Sequence, residues 1–127
     1  METIQYPAAE EGLGRLWQAE LASLTATSLF PDRGSLASVL KVEESRIPQW
    51  TSGTAGQGFP ADTAWRIGWA YLVASRLLQV YLPETARQWL QGRNPLLGGR
   101  QPLALLQEGM FEKVLGAIEQ DDAHSYA

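Results

Sequence analysis

Apolar residues recur every three or four positions along almost the whole chain, and no segment shows the alternating Val, Ile and Thr pattern of a β-strand. This period is typical of amphipathic α-helices, which bury one face and expose the other. Combined with the Ser, Pro and Gly residues that begin and end helices, the pattern predicts a series of helices. They cover Ala9–Ser28, Ser35–Leu40, Arg46–Thr51, Ala61–Leu82, Glu84–Leu90, Pro102–Gln107 and Met110–Glu119. The sequence therefore predicts an all-α fold.

The helix predicted over Ala61–Leu82 is long and apolar enough to lie at the centre of the fold. Its core-facing residues are expected to be Trp65, Trp69, Leu72, Val73, Leu77 and Val80. Ser35 is expected to cap the second helix, and residues 121–127 are expected to form a loose tail. We predict a compact multi-helix domain. Residues 1–60 form a helix-turn-helix-like part, and residues 61–127 contain the long central helix and a C-terminal helical part.

Composition restricts the chemistry that the chain can perform. It has 127 residues, 45% of them hydrophobic, and a net charge of −4, which fits one globular domain and disfavours wholesale electrostatic binding to nucleic acid. Cysteine is absent from the sequence, and the single histidine is His124. Thiolate metal sites and cysteine nucleophiles are thereby excluded, and a histidine zinc site or a Ser-His-Asp triad is disfavoured. We expect a protein without enzymatic activity, bound metal or cofactor.

The distribution of apolar and charged residues also predicts the cellular location of the protein and its assembly. The sequence has no uncharged apolar run close to the roughly 20 residues of a membrane-spanning helix, and its N-terminus lacks a basic segment followed by an apolar one. A cytoplasmic protein without membrane contact is expected. The first helix and the Trp-rich face of the long helix offer more apolar surface than a monomer of this size needs, which favours a homodimer through the N-terminal half.

Residues 35–50, SLASVLKVEESRIPQW, have the apolar spacing of a helix-turn-helix motif. The apolar positions are Leu36, Ala37, Leu40, Val42, Ile47 and Trp50. The DNA-binding candidates of this segment and its flank are Arg33, Lys41, Ser45, Arg46 and Gln49. The first two are expected at phosphates and the other three in the major groove, where Arg bonds guanine and Gln bonds adenine.

Other features of the same segment leave its role open. Glu43 and Glu44 bring negative charge to where DNA phosphates would lie. Pro48 is compatible with the second helix only if that helix begins near Ser45 and is short. The alternative interpretation is a helical corner that serves packing alone.

Glycines and prolines are concentrated between two helices within residues 83–115. Asn94-Pro95 is typical of a turn, Gly98-Gly99 removes side chains from two consecutive positions, and Arg100 is expected beside the helix that begins at Pro102. Paired glycines between prolines allow close approach of a partner's backbone. The residues alone also permit a simple helix connector or a phosphate-binding loop, although the Gly-Lys-Ser/Thr of a P-loop is absent.

Several residue types of this segment occur in a distinctive order, which runs Trp-Leu, Asn-Pro, Gly-Gly, Pro-Leu, two leucines and a closing helix. The positions are Trp89, Leu90, Asn94, Pro95, Gly98, Gly99, Pro102, Leu103, Leu105, Leu106, Val114 and Leu115. This order resembles the toxin-binding domain of Xre/MbcA/ParS-type bacterial antitoxins. Residues 36–50 are similar, more loosely, to the Xre-like helix-turn-helix that precedes that domain.

The resemblance implies the antitoxin of a type II toxin–antitoxin system. Such a protein binds and neutralises a RES-domain, NAD-consuming toxin by blocking its active site, autoregulates its operon through operator DNA, and forms a homodimer or a larger hetero-oligomer with the toxin. The toxin-binding residues that the resemblance implies are Arg93, Asn94, Leu97, Gly98, Gly99, Arg100, Ser125, Tyr126 and Ala127. An alternative is a DNA-binding transcriptional regulator whose C-terminal part only oligomerises.

The C-terminal segment is acidic, whereas an NAD pocket must hold a pyrophosphate and is expected to be positive. We expect this segment to enter or cover the pocket, with Tyr126 stacking where an aromatic base would lie; the alternative is a solvated tail. The chain departs from the family pattern at Lys41, where glycine often precedes the turn, and at Gln101, where Ser or Thr is common. The first departure leaves DNA binding open, and the second weakens a helix cap by about 1 kcal/mol.

Overall fold

The structure, a computed structural model, describes residues 18–27, 29–52 and 60–124. Within these residues the predicted all-α fold is confirmed, and no strand is present. The described part of α1 covers 18–26, and the later helices are α2 (Arg33–Leu40), α3 (Arg46–Thr51), α4 (Ala61–Val80), α5 (Pro83–Gln91), α6 (Pro102–Gln107) and α7 (Phe111–His124). The predicted start of the first helix and residues 125–127 lie outside the described residues. No helix in the described ranges is long and apolar enough to cross a membrane.

α4 is the central helix, as the sequence predicts. It packs against α2, α5 and α7, and α6 packs against α2, α5 and α7. Ile67, Val73 and Leu77 of α4 are almost fully buried, and burial of each such side chain favours folding by about 1.5–3 kcal/mol. The buried residues form one hydrophobic cluster that extends from Leu21 to Ile118. This cluster includes residues on both sides of the predicted boundary, and the division into residues 1–60 and 61–127 stays a prediction.

The predicted core face of α4 is wrong at two positions. Trp65 is 52% exposed and Leu72 is 47% exposed. The helix instead turns a stripe rich in small residues toward the core, namely Ala64, Ile67, Ala70, Val73, Ala74 and Leu77. This stripe is buried because alanine lets neighbouring helices approach closely. The prediction failed because α4 is apolar on most sides, so hydrophobicity alone does not show which stripe is buried.

The ends of two helices also differ from the prediction. Asp32, rather than Ser35, caps α2, because its Oδ1 accepts a hydrogen bond of 2.7 Å from the backbone N–H of Ser35. That backbone hydrogen bond lowers the pKa of the Asp32 carboxyl below its ordinary value of 3.8. α4 ends at Val80 instead of Leu82, because the residue before Pro83 is sterically driven into an extended conformation.

Candidate functional site

The segment between α5 and α6 is a closed loop organised by Asn94. The backbone oxygen of Asn94 accepts hydrogen bonds from the N–H groups of Leu97 and Gly99, both at 2.9 Å, and its backbone N–H donates to Arg100 at 3.1 Å. The side-chain Oδ1 accepts from the N–H of Leu96 at 2.9 Å, which begins a short 3-10 turn over Pro95–Leu97. Asn94 is 7% exposed. The geometry therefore makes Asn94 a residue that shapes the loop from inside.

Gly98 and Gly99 complete the loop in a conformation that other residues adopt only at a cost. Their φ angles are +68° and +79°, in the left-handed region. An added Cβ at either position would meet nothing within 4 Å, so the requirement for glycine is conformational and the space above the two residues is open. Leu97 is partly buried and packs against the core.

Arg100 lies on the outer side of this loop and is engaged by an acidic residue of the segment after α6. Its Nη1 donates to Glu108 Oε1 at 3.2 Å, and its Nη2 contacts Glu108 Oε2. This pairing raises the pKa of Arg100 and lowers the pKa of Glu108 below its ordinary value of 4.5. Lys41, which follows α2, contributes more weakly to the lower pKa of Glu108. Glu108 was not predicted, because no local pattern in the sequence indicates a partner for Arg100.

An open groove of about 420 Å³ lies beside the loop. Its lining residues come from α5, from the loop and from α7, and they are Trp89, Gly92, Arg93, Asn94, Pro95, Leu96 and Asp121. The Leu96 side chain is 40% exposed, and Arg93 is exposed as well. The groove therefore combines the apolar side chain of Leu96, the cation of Arg93 and the carboxylate of Asp121.

The carboxylate of Asp121 is held by two aromatic residues. Trp89 Nε1 donates to Asp121 Oδ2 at 2.7 Å, and the Tyr81 hydroxyl donates to the same oxygen at 3.4 Å. Burial is the main cause that raises the pKa of Tyr81, and the charge of Asp121 adds to it. Both aromatic residues are partly buried, so they lie at the edge of the core.

Arg76 of α4 attaches the last turns of α7 to the central helix. Its Nε and Nη2 donate to the two carboxylate oxygens of Glu119 at 2.6 and 2.9 Å, and Nη2 also donates to Asp122 at 2.8 Å. The prediction of a loose tail from residue 121 is therefore wrong for residues 121–124, which are helical. Acidic residues near a helix C-terminus are unfavourable locally, and the bonds to Arg76 and Trp89 offset that cost. We call these contacts the α7 clamp.

Three of the predicted toxin-binding residues, Ser125, Tyr126 and Ala127, lie outside the described residues. The other six belong to the loop. Of these six, Arg93 and Asn94 line the groove, and Trp89, Leu96 and Asp121, which were not predicted as toxin-binding residues, line it with them. Arg76 was not predicted as a functional residue, because its partners are distant along the chain, and Asp121 was considered only as part of the acidic C-terminal segment.

The predicted DNA-binding residues lie on α2, on α3 and on the turn between them. All five, Arg33, Lys41, Ser45, Arg46 and Gln49, are exposed. The guanidinium of Arg46 lies 4.9 Å from the ring centre of Trp50. Glu43 and Glu44 are exposed in the same turn. Contact of this face with DNA stays a prediction.

Lys41, where Xre/MbcA/ParS-type antitoxins often have glycine, lies in the turn directly after α2. Lys41 adopts a left-handed conformation, with φ of 61°, and its N–H bonds back to the last turn of α2. The turn thus forms in the geometry that glycine favours, at a cost of about 1 kcal/mol. α3 begins at Arg46, which places Pro48 in its first turn and satisfies the condition that proline imposes.

The fold is similar to that of a chain in the crystal structure of the M. tuberculosis MbcT–MbcA toxin–antitoxin complex. The TM-score is 0.64, the sequences are 24% identical, and the similarity covers 80% of this chain and 89% of that chain. No protein-family model and no curated protein match the sequence.

Proposed function

We propose that this protein is an antitoxin that binds and neutralises a RES-domain, NAD-consuming toxin in the cytoplasm, without enzymatic activity of its own. The observation that carries the proposal is the groove between the Asn94 loop and Asp121. It joins Arg93 and Asn94, two of the predicted toxin-binding residues, to the clamped part of α7, which residues 125–127 follow in the sequence. Similarity of the fold to a chain of a toxin–antitoxin complex supports the same reading.

The loop is suited to protein binding because its shape is set before any partner arrives. Asn94 and the two left-handed glycines hold the backbone, so docking requires little further loss of conformational entropy. Leu96 supplies an exposed apolar side chain, and Arg93 supplies a cation for an acidic group of the toxin. Arg100 already binds Glu108, and a toxin carboxylate would have to replace that contact.

The α7 clamp is the second part of the proposed mechanism. Because Arg76 and Trp89 hold Asp121 and Asp122, the part of α7 that precedes residues 125–127 is fixed beside the groove. Ser125, Tyr126 and Ala127 then enter the NAD pocket of the toxin, with Tyr126 stacking in place of an aromatic base. NAD is excluded as long as this segment occupies its site.

Co-purification with the toxin and an NAD-consumption assay test the proposal. A chain shortened after His124 keeps the α7 clamp and is expected to retain the fold but to lose most of the inhibition. Leu96→Asp is expected to weaken the complex, whereas Ser38→Asp on the exposed side of α2 adds the same charge away from the groove and serves as its control. The proposal fails if no toxin complex forms, or if Leu96→Asp and Ser38→Asp bind equally well. Full inhibition by the shortened chain would reject the plug and leave the loop surface sufficient.

A second candidate function is a DNA-binding regulator whose C-terminal part only oligomerises. The exposure of Arg33, Lys41, Ser45, Arg46 and Gln49 on neighbouring elements favours it. Operator binding measured at two salt concentrations is the discriminating experiment, since phosphate contacts make affinity fall with salt. Gln49→Ala is expected to reduce operator preference, and Arg33→Ala is expected to weaken binding to all sequences. In an autoregulating antitoxin both this activity and toxin binding are present.

A further inference from the structure

Asp121 differs from the two neighbouring acidic residues of α7 in the partners that it binds. The guanidinium of Arg76 bonds both Glu119 and Asp122, at distances of 2.6–2.9 Å. Asp121 is bonded instead by the neutral side chains of two aromatic residues, of which Trp89 is the closer, and it forms no ion pair with a cation of the described residues. Its negative charge is therefore not neutralised within the part of the chain that the structure describes.

One of the two carboxylate oxygens of Asp121 is open to a partner. Both aromatic donors bond to Oδ2, and Oδ1 accepts no hydrogen bond from residues 18–27, 29–52 or 60–124. The side chain is partly exposed, and it lines the groove beside the Asn94 loop. Each oxygen of an ionised carboxylate accepts about two hydrogen bonds. A donor that enters the groove therefore finds an acceptor at Oδ1.

The walls of the groove are suited to the stem and the planar head of an arginine. Trp89 and Leu96 both line it, and Leu96 is 40% exposed, so the apolar stem of an arginine packs along it. Because the indole nitrogen of Trp89 lies 2.7 Å from Oδ2 of Asp121, a cation bound at Oδ1 lies next to the indole ring. A guanidinium stacks on aromatic rings and is more weakly hydrated than an ammonium. These properties favour arginine over lysine as the occupant.

Arg93 supplies a second charge to the same groove without cancelling the first. It is exposed, and it forms no ion pair with Asp121. Two groove charges that neutralised each other would offer little to a partner. Their separation leaves Asp121 for a cation and Arg93 for an acidic group beside that cation. A partner segment that carries both charges is thereby favoured over one that carries either alone.

The proposed function, on which this inference rests, indicates where the arginine comes from. Asp121 lies four residues before Ser125 in the sequence, so their Cα atoms are at most about 14 Å apart. Residues 125–127 are proposed to enter the NAD pocket of the toxin, and a pocket that holds a pyrophosphate has cations in it and around it. We infer that the groove binds an arginine at the rim of this pocket, with its guanidinium on Asp121 Oδ1 and against Trp89.

A small probe tests the groove in the full chain without the toxin. N-acetyl-arginine carries one guanidinium and one carboxylate, and N-acetyl-citrulline has the same shape without the positive charge. In an NMR titration, N-acetyl-arginine is expected to shift the indole N–H signal of Trp89, assigned with Trp89→Phe, with a dissociation constant on the order of millimolar. N-acetyl-citrulline should bind at least about tenfold more weakly, and Asp121→Asn should abolish the difference. Equal responses to the two probes, or none to N-acetyl-arginine, overturn the inference.

The complex with the toxin provides a second measurement. Asp121→Asn removes the charge but keeps an oxygen that accepts the bond from Trp89, so the melting temperature should change little while the dissociation constant of the toxin rises about tenfold or more. The affinity of the variant should also depend less on salt than that of the parent. Glu112→Gln removes the same charge from an exposed position in the first turn of α7, and this control should bind the toxin as the parent does.

The two measurements separate failure of the inference from failure of the proposed function. Equal toxin affinity of Asp121→Asn and Glu112→Gln overturns the inference and leaves the antitoxin function standing. Absence of any toxin complex refutes the proposed function and with it the source of the arginine, whereas the titration with N-acetyl-arginine still reports whether the groove binds a guanidinium.

Discussion

Asp121→Ala separates the local preferences of α7 from its tertiary contacts, because the two predict opposite signs. Local preferences favour the substitution. Alanine has a higher helix propensity by up to about 0.7 kcal/mol, and removing a negative charge near the helix C-terminus gains about 0.3–1 kcal/mol. Judged only as a helical segment, the variant should be more stable than the parent by about 1 kcal/mol.

The tertiary structure predicts the reverse. Asp121 accepts a charged hydrogen bond of 2.7 Å from Trp89, and such a bond contributes about 1.5–3 kcal/mol. The bond from Tyr81, at 3.4 Å, is long and adds little. Subtracting the local gain leaves a net loss of about 1 kcal/mol in the free energy of unfolding for Asp121→Ala.

A double-mutant cycle of Asp121 and Trp89, measured by urea denaturation, tests these two opposed contributions to the free energy of unfolding. Once Trp89→Phe has removed the donor, Asp121→Ala should stabilise the protein by about 1 kcal/mol, which gives a coupling of about 2 kcal/mol. Gln120→Ala, at the exposed neighbouring position, is the control and should change stability by less than about 0.5 kcal/mol. A coupling below about 0.5 kcal/mol, or a stabilised Asp121→Ala protein, would refute the role given to the α7 clamp.

Three further predictions concern the backbone and the loop. Gly98→Ala should lower the free energy of unfolding by about 1–2 kcal/mol because φ is positive, whereas Gly68→Ala in the middle of α4 should raise it by about 0.5–1 kcal/mol. Thermal melts that show the same sign for both variants would contradict this. Lys41→Gly should raise the free energy of unfolding, measured by urea denaturation, by about 0.5–1 kcal/mol. A lower free energy of unfolding would show that the left-handed backbone at Lys41 is not strained. The pKa of Glu108 should lie below 4.5 by NMR titration and rise in Arg100→Gln. Because the folded pKa of Glu108 is lowered, the stabilisation from its pairing with Arg100 is fully present above pH 4.5 and is lost as the pH falls through the folded pKa. An unchanged pKa of Glu108 in Arg100→Gln would count against the pairing.

The proposed toxin-binding surface depends on two parts with different origins. The loop is local, since Asn94 and the two glycines form nearly all of its hydrogen bonds within residues 94–100. The α7 clamp is long-range, since Arg76 and Trp89 reach α7 from two other helices. Substitutions at the exposed loop residues Arg93 and Leu96 are therefore expected to change binding with little effect on the rest of the fold, whereas clamp variants change both.

The sequence determined the helical fold, the long central helix and the bounds of α3 and α6. Short-range interactions set these features. Pro102 starts α6 where its fixed φ fits the first helical turn, and Pro83 ends α4 through its effect on the residue before it. Gly98 and Gly99 were predicted as two positions without side chains, and the structure adds that both have a left-handed backbone, which glycine adopts without cost.

Contacts between distant segments set which side of α4 is buried, that α7 continues past Glu119 to His124, and what Arg100 binds. When a helix is apolar on almost every side, its sequence does not show which stripe contacts the neighbouring helices. In α4 the small residues Ala70 and Ala74 are buried, because they allow close packing, and Trp65 is exposed. The last turns of α7 have no favourable local signal, and they are helical because Arg76 and Trp89 hold their carboxylates. Such contacts join residues far apart along the chain. Their free energy exists only once the helices have packed, so no periodicity in the sequence reports it.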